Sequence, residues 1–174
     1  AFSITEEAVE DNLYDKISSR YTRALARSMA HTKQVKAAGV LNNAFDTTVV
    51  GGDAKALCVA DHPLTNGGTL DNVSAADLNE TSLEDALINI AGFTDERGLI
   101  IALRGMKLII PRQLQFVAER LMASNMRPGT ADNDVNAVQS MGMLPNGYVV
   151  NDFLTDTDAF FIKTDAPNGL KHFE

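Results

Sequence analysis

Apolar residues recur at Val9, Leu13, Ile17, Tyr21 and Leu25, and again at Val35, Leu41 and Phe45. A spacing of four that slips by a residue here and there is one stripe along an α-helix, because a turn takes 3.6 residues. No Pro interrupts residues 1–62, and Gly39 is the only Gly before Gly51. The pattern predicts one helix from about Thr5 to about Ala44, roughly 60 Å long at 1.5 Å per residue. Helices in globular proteins average only about 10–14 residues. Ser3 and Glu6 have capping-box spacing, and Thr5 is a second candidate cap.

After Phe45 the pattern shortens. Residues 47–50 and 56–60 read as brief strands on either side of a Gly51-Gly52-Asp53 turn. Residues 61–75 carry Asp61, Pro63, Asn66, Gly67, Gly68, Asp71 and Asn72, the make-up of an ordered surface loop. Thr81 or Ser82 is expected to cap a helix to about Phe93, with Leu83, Leu87, Ile88 and Ala91 as its apolar stripe. Residues 99–103 and 107–110 are nearly continuous apolar runs around Arg104-Gly105, suiting two strands buried on both faces or one strand with a bulge. Pro111 opens a helix over about 112–124, in which Leu114, Val117, Ala118, Leu121 and Met122 share a face and Pro128-Gly129 marks the end. Residues 148–150 and 159–163 read as two further strands. Residues 46–174 therefore predict an α+β unit of helices packed on a mixed sheet. There is no internal repeat and no low-complexity segment.

Composition narrows the function classes. The 174 residues carry a formal net charge of −8 at a pI near 4.8, which excludes an autonomous nucleic-acid binder relying on counterion release. With 45% hydrophobic and 22% charged residues the chain reads as folded. The lone Cys58 rules out a disulfide framework and a Cys-based zinc site, and fits a reducing compartment. No apolar run approaches the ~20 residues of a membrane span, and no signal-type segment precedes the first helix. The chain opens at Ala1 without Met, so a processed chain or a piece of something longer is expected.

The charge is unevenly spread. Residues 1–45 hold five acids (Glu6, Glu7, Glu10, Asp11, Asp15) and six bases (Lys16, Arg20, Arg23, Arg27, Lys33, Lys36), net +1; residues 46–174 hold the other 18 acids and 9 bases, net −9. Acids first and bases later also suit the helix macrodipole. Arg20, Arg23 and Arg27 fall on one side of the helix and are the candidate inter-subunit contacts. Their pattern fits either a solvated face or an electrostatic contact with an acidic neighbour.

Candidate chemistry is thin. Cys58, Asp61 and His62 are close in sequence, but catalytic partners normally come from separate parts of a chain, and Asp61-His62-Pro63 reads more simply as a turn. Asp132, Asn133, Asp134 and Asn136 resemble the opening of a calcium loop, yet the sixth position is Ala137 where Gly is required and the twelfth is Met143 where Glu is required. Asp156-Thr157-Asp158 lacks the Gly and the second copy of an aspartic-protease dyad. Gly51-Gly52 and Gly67-Gly68 lack the spacing and the Lys of a phosphate loop. No catalytic, cofactor or metal site is expected.

Longer strings carry a resemblance. Leu57-Cys58-Val59-Ala60-Asp61-His62-Pro63-Leu64, then Gly67-Gly68-Thr69 and Asn72, resembles a segment of the major capsid proteins of tailed bacteriophages, the Mu-like major head subunits among them. Gly98 with Leu108-Ile109-Ile110-Pro111 is similar to their strand-to-helix junction. Arg127-Pro128-Gly129-Thr130 and Asp134-Val135-Asn136 resemble the loop that follows. Asn151-Asp152-Phe153-Leu154-Thr155-Asp156, Asp158-Ala159-Phe160-Phe161 and Gly169-Leu170 match a later stretch. The opening Ile4-Thr5-Glu6-Glu7 and Asp11 fit the start of the family's long spine helix. Each motif is weak alone; their order along nearly the whole chain carries the likeness.

The resemblance implies an α+β phage major-capsid fold, with a peripheral-domain portion at 1–75 holding the spine helix and its following strands and loop, and a compact mixed axial-domain portion at 76–174. It implies no catalytic residue, except that self-crosslinking members pair a Lys with an Asn, and no such pair stands out here. The family's N-terminal arm, extended loop and C-terminal return are not matched, so a fragment is expected. The implied role is a structural subunit forming pentamers and hexamers of an icosahedral head, assembled in the host cytoplasm and residing in the virion. Its partners are then its own copies, scaffold or decoration proteins, and double-stranded DNA held by proximity, with no membrane. The alternatives are an encapsulin-like shell and, further off, a cytosolic enzyme or ligand binder using Asp61, His62 and Asp134.

Overall fold

The computed structural model describes residues 6–10, 14–127, 134–167 and 169–170. Contacts divide the chain into two compact units, Ala1–Val40 and Leu41–Glu174.

The first unit is helical: α1 spans Glu6–Glu10 and α2 spans Tyr14–Asn42, where the unit boundary falls near its last turn. The expected helix is thus present on both sides of residues 11–13, which lie outside the described residues together with the cap candidates Ser3 and Thr5 and the stripe residue Leu13. The 29 residues of α2 reach about 43 Å at 1.5 Å per residue. The helix stops at Asn42 rather than Ala44, where Ala44 N–H turns back to the Leu41 carbonyl at 3.0 Å. The bases of α2 do not serve its macrodipole as the sequence suggests: the last turn holds none, and the effect fades within a turn of the end. Thr22 and Thr32 hydroxyls donate to the Ser18 and Ser28 carbonyls four residues back, at 2.8 and 2.9 Å.

Gly39 lies within α2, and a Cβ built there meets nothing within 4 Å. Glycine in a helix interior costs about 0.5–1 kcal/mol relative to alanine. The Gly39→Ala variant is therefore expected to melt a few degrees higher by circular dichroism; an unchanged or lower melting temperature would contradict this.

The second unit is α+β. Strands β1 (His62–Pro63) and β2 (Thr69–Leu70) form a small antiparallel hairpin, so the expected loop over 61–75 holds a closed turn. The Leu64 N–H donates to the Gly68 carbonyl, and Gly67 takes φ +84°. Helix α3 (Glu80–Ala91) follows, then β3 (Gly105–Ile110), a short 3-10 turn (Arg112–Leu114), α4 (Gln115–Ala123), α5 (Ala137–Ser140), β4 (Tyr148–Val150) and β5 (Phe161–Thr164). The larger sheet has order β4-β3-β5, with β4 parallel and β5 antiparallel to β3. It is the mixed sheet that the sequence predicts.

Its core is one apolar cluster. Leu108 and Ile110, two residues apart on β3 and fully buried, meet Leu83 and Leu87 of α3, Ala118 and Leu121 of α4, and Val138 of α5. Leu114, Val117 and Met122 pack against it, as the helical spacing over 112–124 predicts. Buried Asn136 donates through Nδ2 to the Leu121 carbonyl at 2.7 Å and the Ser124 carbonyl at 3.0 Å. Its Oδ1 accepts from Gln139 N–H, capping α5, so a buried amide finds partners on both sides.

Four expectations are corrected. Residues 47–60 form turns instead of strands: Asp46 Oδ1 accepts from both the N–H and the hydroxyl of Thr48, and Val49 and Val50 stay exposed. That local turn offers the backbone an alternative to a ladder. The cap of α3 is Asn79; Ser82 is the third residue of the same reciprocal capping box. Residues 99–103 form no strand, and β3 begins at Gly105 with a bulge before Lys107. Ile88 is 71% exposed, and Ile90 takes its expected place in the core. Helix α4 ends at Ala123 with Ser124 already extended, ahead of Pro128 and Gly129, which lie outside the described residues.

Candidate assembly surfaces

At about 100° per residue, Arg20, Arg23 and Arg27 fall within one arc of roughly 60° on α2. With Ser19 and Ala24 they line a shallow, open groove along the helix. Arg23 folds onto its own helix, Nε donating to the Ser19 carbonyl at 3.2 Å and Nη2 to Ser19 Oγ at 3.4 Å. Arg20 and Arg27 have no ion-pair partner among the described residues. Nearly opposite, Tyr21, Leu25 and Met29 follow one another at intervals of four, 50%, 36% and 59% exposed. The helix therefore carries a basic face and an apolar face, and every residue from 19 to 37 is open to solvent.

A second surface lies in the α+β unit, at the hairpin loop over 93–101. Ile101 N–H donates to the Phe93 carbonyl at 3.0 Å, Asp95 N–H to the Leu99 carbonyl at 2.8 Å, and Thr94 bridges Ile100. The Asp95 carboxylate accepts from the N–H groups of Arg97 and Leu99 at 2.8 and 2.9 Å, closing the turn from inside. Gly98 sits at φ +86°, and a Cβ there would come 3.1 Å from Asn66 Nδ2. Thr65 Oγ1 donates to the Glu96 carbonyl at 2.9 Å, bracing the loop against the β1–β2 turn. On this rigid frame Leu99, Ile100 and Ile101 stand 64%, 70% and 47% exposed. The sequence run reads equally as a buried strand; the signal for a loop is Asp95 followed three residues later by Gly98, the make-up of a tight turn.

The residues singled out for chemistry take local partners. His62 Nδ1 meets Asp53 Oδ2 at 2.6 Å, and Lys55 Nζ meets Asp61 Oδ2 at 2.5 Å. His62 Nε2 is buried with no hydrogen-bond partner among the described residues. Sequence reading missed Asp53, whose tie to His62 joins a turn to β1. Cys58 has its N–H on the Ala44 carbonyl at 2.8 Å, and burial raises its thiol pKa. Asp134 is exposed, its carbonyl accepting from Arg127 N–H at 2.9 Å, while Asp132 and Asn133 lie outside the described residues. Asp156 and Asp158 share a hydrogen bond that lowers the first and raises the second. Among the described residues no three His, Cys, Asp or Glu side chains gather as a metal site, and no helix is long and apolar enough to cross a membrane. A small cleft lined by Leu41, Asn42, Phe45, Leu154, Asp156, Ala159 and Phe161 has room for no more than about one water and includes none of Asp61, His62 or Asp134.

The hydrogen bond from His62, then the N–H of Lys55, holds the Asp53 carboxyl below its ordinary value of 3.8. A carboxylate depressed in the folded state stabilises it above the unfolded value, and that stability is lost as pH falls through the folded one. Asp53→Asn is therefore expected to lower the urea midpoint at neutral pH and to narrow the gap to the parent protein below about pH 4. A gap that widens in acid would refute the assignment.

A family model described as phage capsid protein matches residues 1–174, and the chain belongs to that family. No curated protein and no solved structure matches the chain. As a phage capsid protein it is a structural component of the virion and associates with its own copies.

Proposed function

We propose that the chain is a major head subunit of a tailed phage of the Mu-like kind, assembling as pentamers and hexamers into an icosahedral shell around double-stranded DNA. The observation that carries this is the bare helix α2, whose opposed basic and apolar faces both lie open for about five turns. A helix so exposed gains little from packing in its own unit, and copies of the chain supply the missing contacts. Residues 1–75 would then be the peripheral portion and 76–174 the axial portion, with assembly in the host cytoplasm. Scaffold or decoration proteins would add contacts to this lattice.

Rings need heterologous contacts, in which two different patches of one subunit meet on its neighbours. The net −9 of residues 46–174 and the arginine face of α2 are suited to such a contact, since charge sets register and encounter rate. Negative-stain electron microscopy of the purified full-length product is the test: closed particles or five- and six-fold rings are expected. A monodisperse monomer at high concentration would overturn the reading, and particles filled with protein instead of DNA would make it encapsulin-like.

A further inference from the structure

We infer that His31 completes the basic face of α2 and makes its contact with the acidic surface of a second copy proton-linked, tighter in mild acid than in mild base. The inference rests on the shell reading above and adds the regulation of the contact proposed there. The helix itself narrows what can cover this face. From Lys16 to Asn42 it carries six bases and no acid. Helix faces that meet only water intersperse acids with bases four residues apart, and here no acid is available. A second α2 laid along the face would bring the same bases and be repelled. Residues 46–174, at net −9, are the complement, and in a shell of identical subunits a neighbouring copy supplies them.

His31 follows Arg27 by four residues. At about 100° per residue it falls roughly 20° from Arg20 and roughly 40° from Arg27, while Lys33 and Lys36 turn to the other side. All four side chains, Arg20, Arg23, Arg27 and His31, are exposed, and no element buries them. The charged groups that face His31 are therefore the three arginines, and the face extends about 16 Å along the axis. Histidine is the side chain whose charge changes between about pH 5 and 8. Neutral, it leaves three charges on the face; protonated, it makes four. An acidic surface binds four more tightly than three, so docking draws a proton onto the ring. The docked form then keeps its proton to higher pH than the free one. That contribution is full in acid and is lost as pH rises through the titration of the docked form.

The test is the concentration at which full chains, freed of nucleic acid, form particles at pH 6 and at pH 8. For the parent it should be about two- to fivefold higher at pH 8, the worth of one exposed charge pair. His31→Gln should give the higher value at both pH values and His31→Lys the lower value at both. The melting temperature of the subunit should stay unchanged in either variant, since the side chain is exposed. Near 1 M salt, where screening shortens to about 3 Å, the parent's difference should disappear. A parent with no difference overturns the inference. So does His31→Gln that keeps the difference, because the proton then sits on His62 or His172, and so does a difference that arises only when double-stranded DNA is added. If the parent forms no particles at either pH, the shell reading falls and takes this one with it; if the parent assembles, the two variants judge His31 alone.

Discussion

Reversing Arg20, Arg23 and Arg27 to glutamate is expected to abolish closed particles while the melting curve of the subunit stays within about a degree of the parent. Three positive charges become three negative ones, all within one arc of α2. Where that face meets a neighbour's acidic surface, attraction turns to repulsion, and like charges brought together cost several kcal/mol per contact. The effect multiplies because each subunit repeats it. The fold should survive because all three side chains are exposed, their described ties reach no further than Ser19 on the same helix, and Arg and Glu have similar helix propensity. Assembly of the parent should weaken near 1 M salt, where screening shortens to about 3 Å. Sedimentation velocity with electron microscopy reads both results. Normal particles from the triple variant would refute the contact, and empty but intact shells that fail to fill would place the face toward DNA.

The largest effect on stability is expected at Gly105. A Cβ there would lie 2.5 Å from Leu87 Cδ2, 3.1 Å from Leu144 Cδ2 and 3.2 Å from Ile162 Cγ2. These are side-chain ends from α3, from the loop before β4 and from β5, and all three would have to give way at once. Overpacking of this kind costs about 1–3 kcal/mol for one carbon, so Gly105→Ala should melt roughly 3–10 °C lower. Gly105→Val should fail to fold at 37 °C. Leu87→Ala opens space on the tightest side, so the cost of Gly105→Ala should shrink in that background, as contacting residues couple. Additive losses in the double variant would show that Leu87 is not what crowds the strand.

The parts legible in the sequence are those where burial and periodicity coincide. Strand β4 falls on the short apolar run at 148–150, and α4 carries its core residues at the expected spacing, because both pack on a core the chain itself supplies. The arginine face was also legible, since spacing alone places three residues on one side of a helix. What was hidden is where a short polar side chain outbids an apolar neighbour. Asp46 captures Thr48 and leaves Val49 and Val50 without a ladder, and Asn79 takes a cap that Thr81 or Ser82 could equally claim. The run at 99–101 misled for another reason. Hydrophobicity says that a residue leaves water, and it does not say whether the partner is the same chain or a second one.

Asn42, in the last turn of α2, has a consequence of timing. Its amide donates to the Phe153 carbonyl and accepts from Thr155 N–H, both at 3.0 Å, across 111 and 113 residues of chain. Phe45 stacks on Phe161 of β5 at 5.8 Å between ring centres, over a similar separation. Helical turns form within about a microsecond, whereas contacts this far apart await closure of a long loop. On the ribosome Asn42 emerges long before its partners exist. These ties at Asn42 and Phe45 therefore close only once residue 155 has been made and β5 has paired, long after the helical turns before them can form. A slow refolding phase that vanishes in Asn42→Ala would be the kinetic mark of this late clasp.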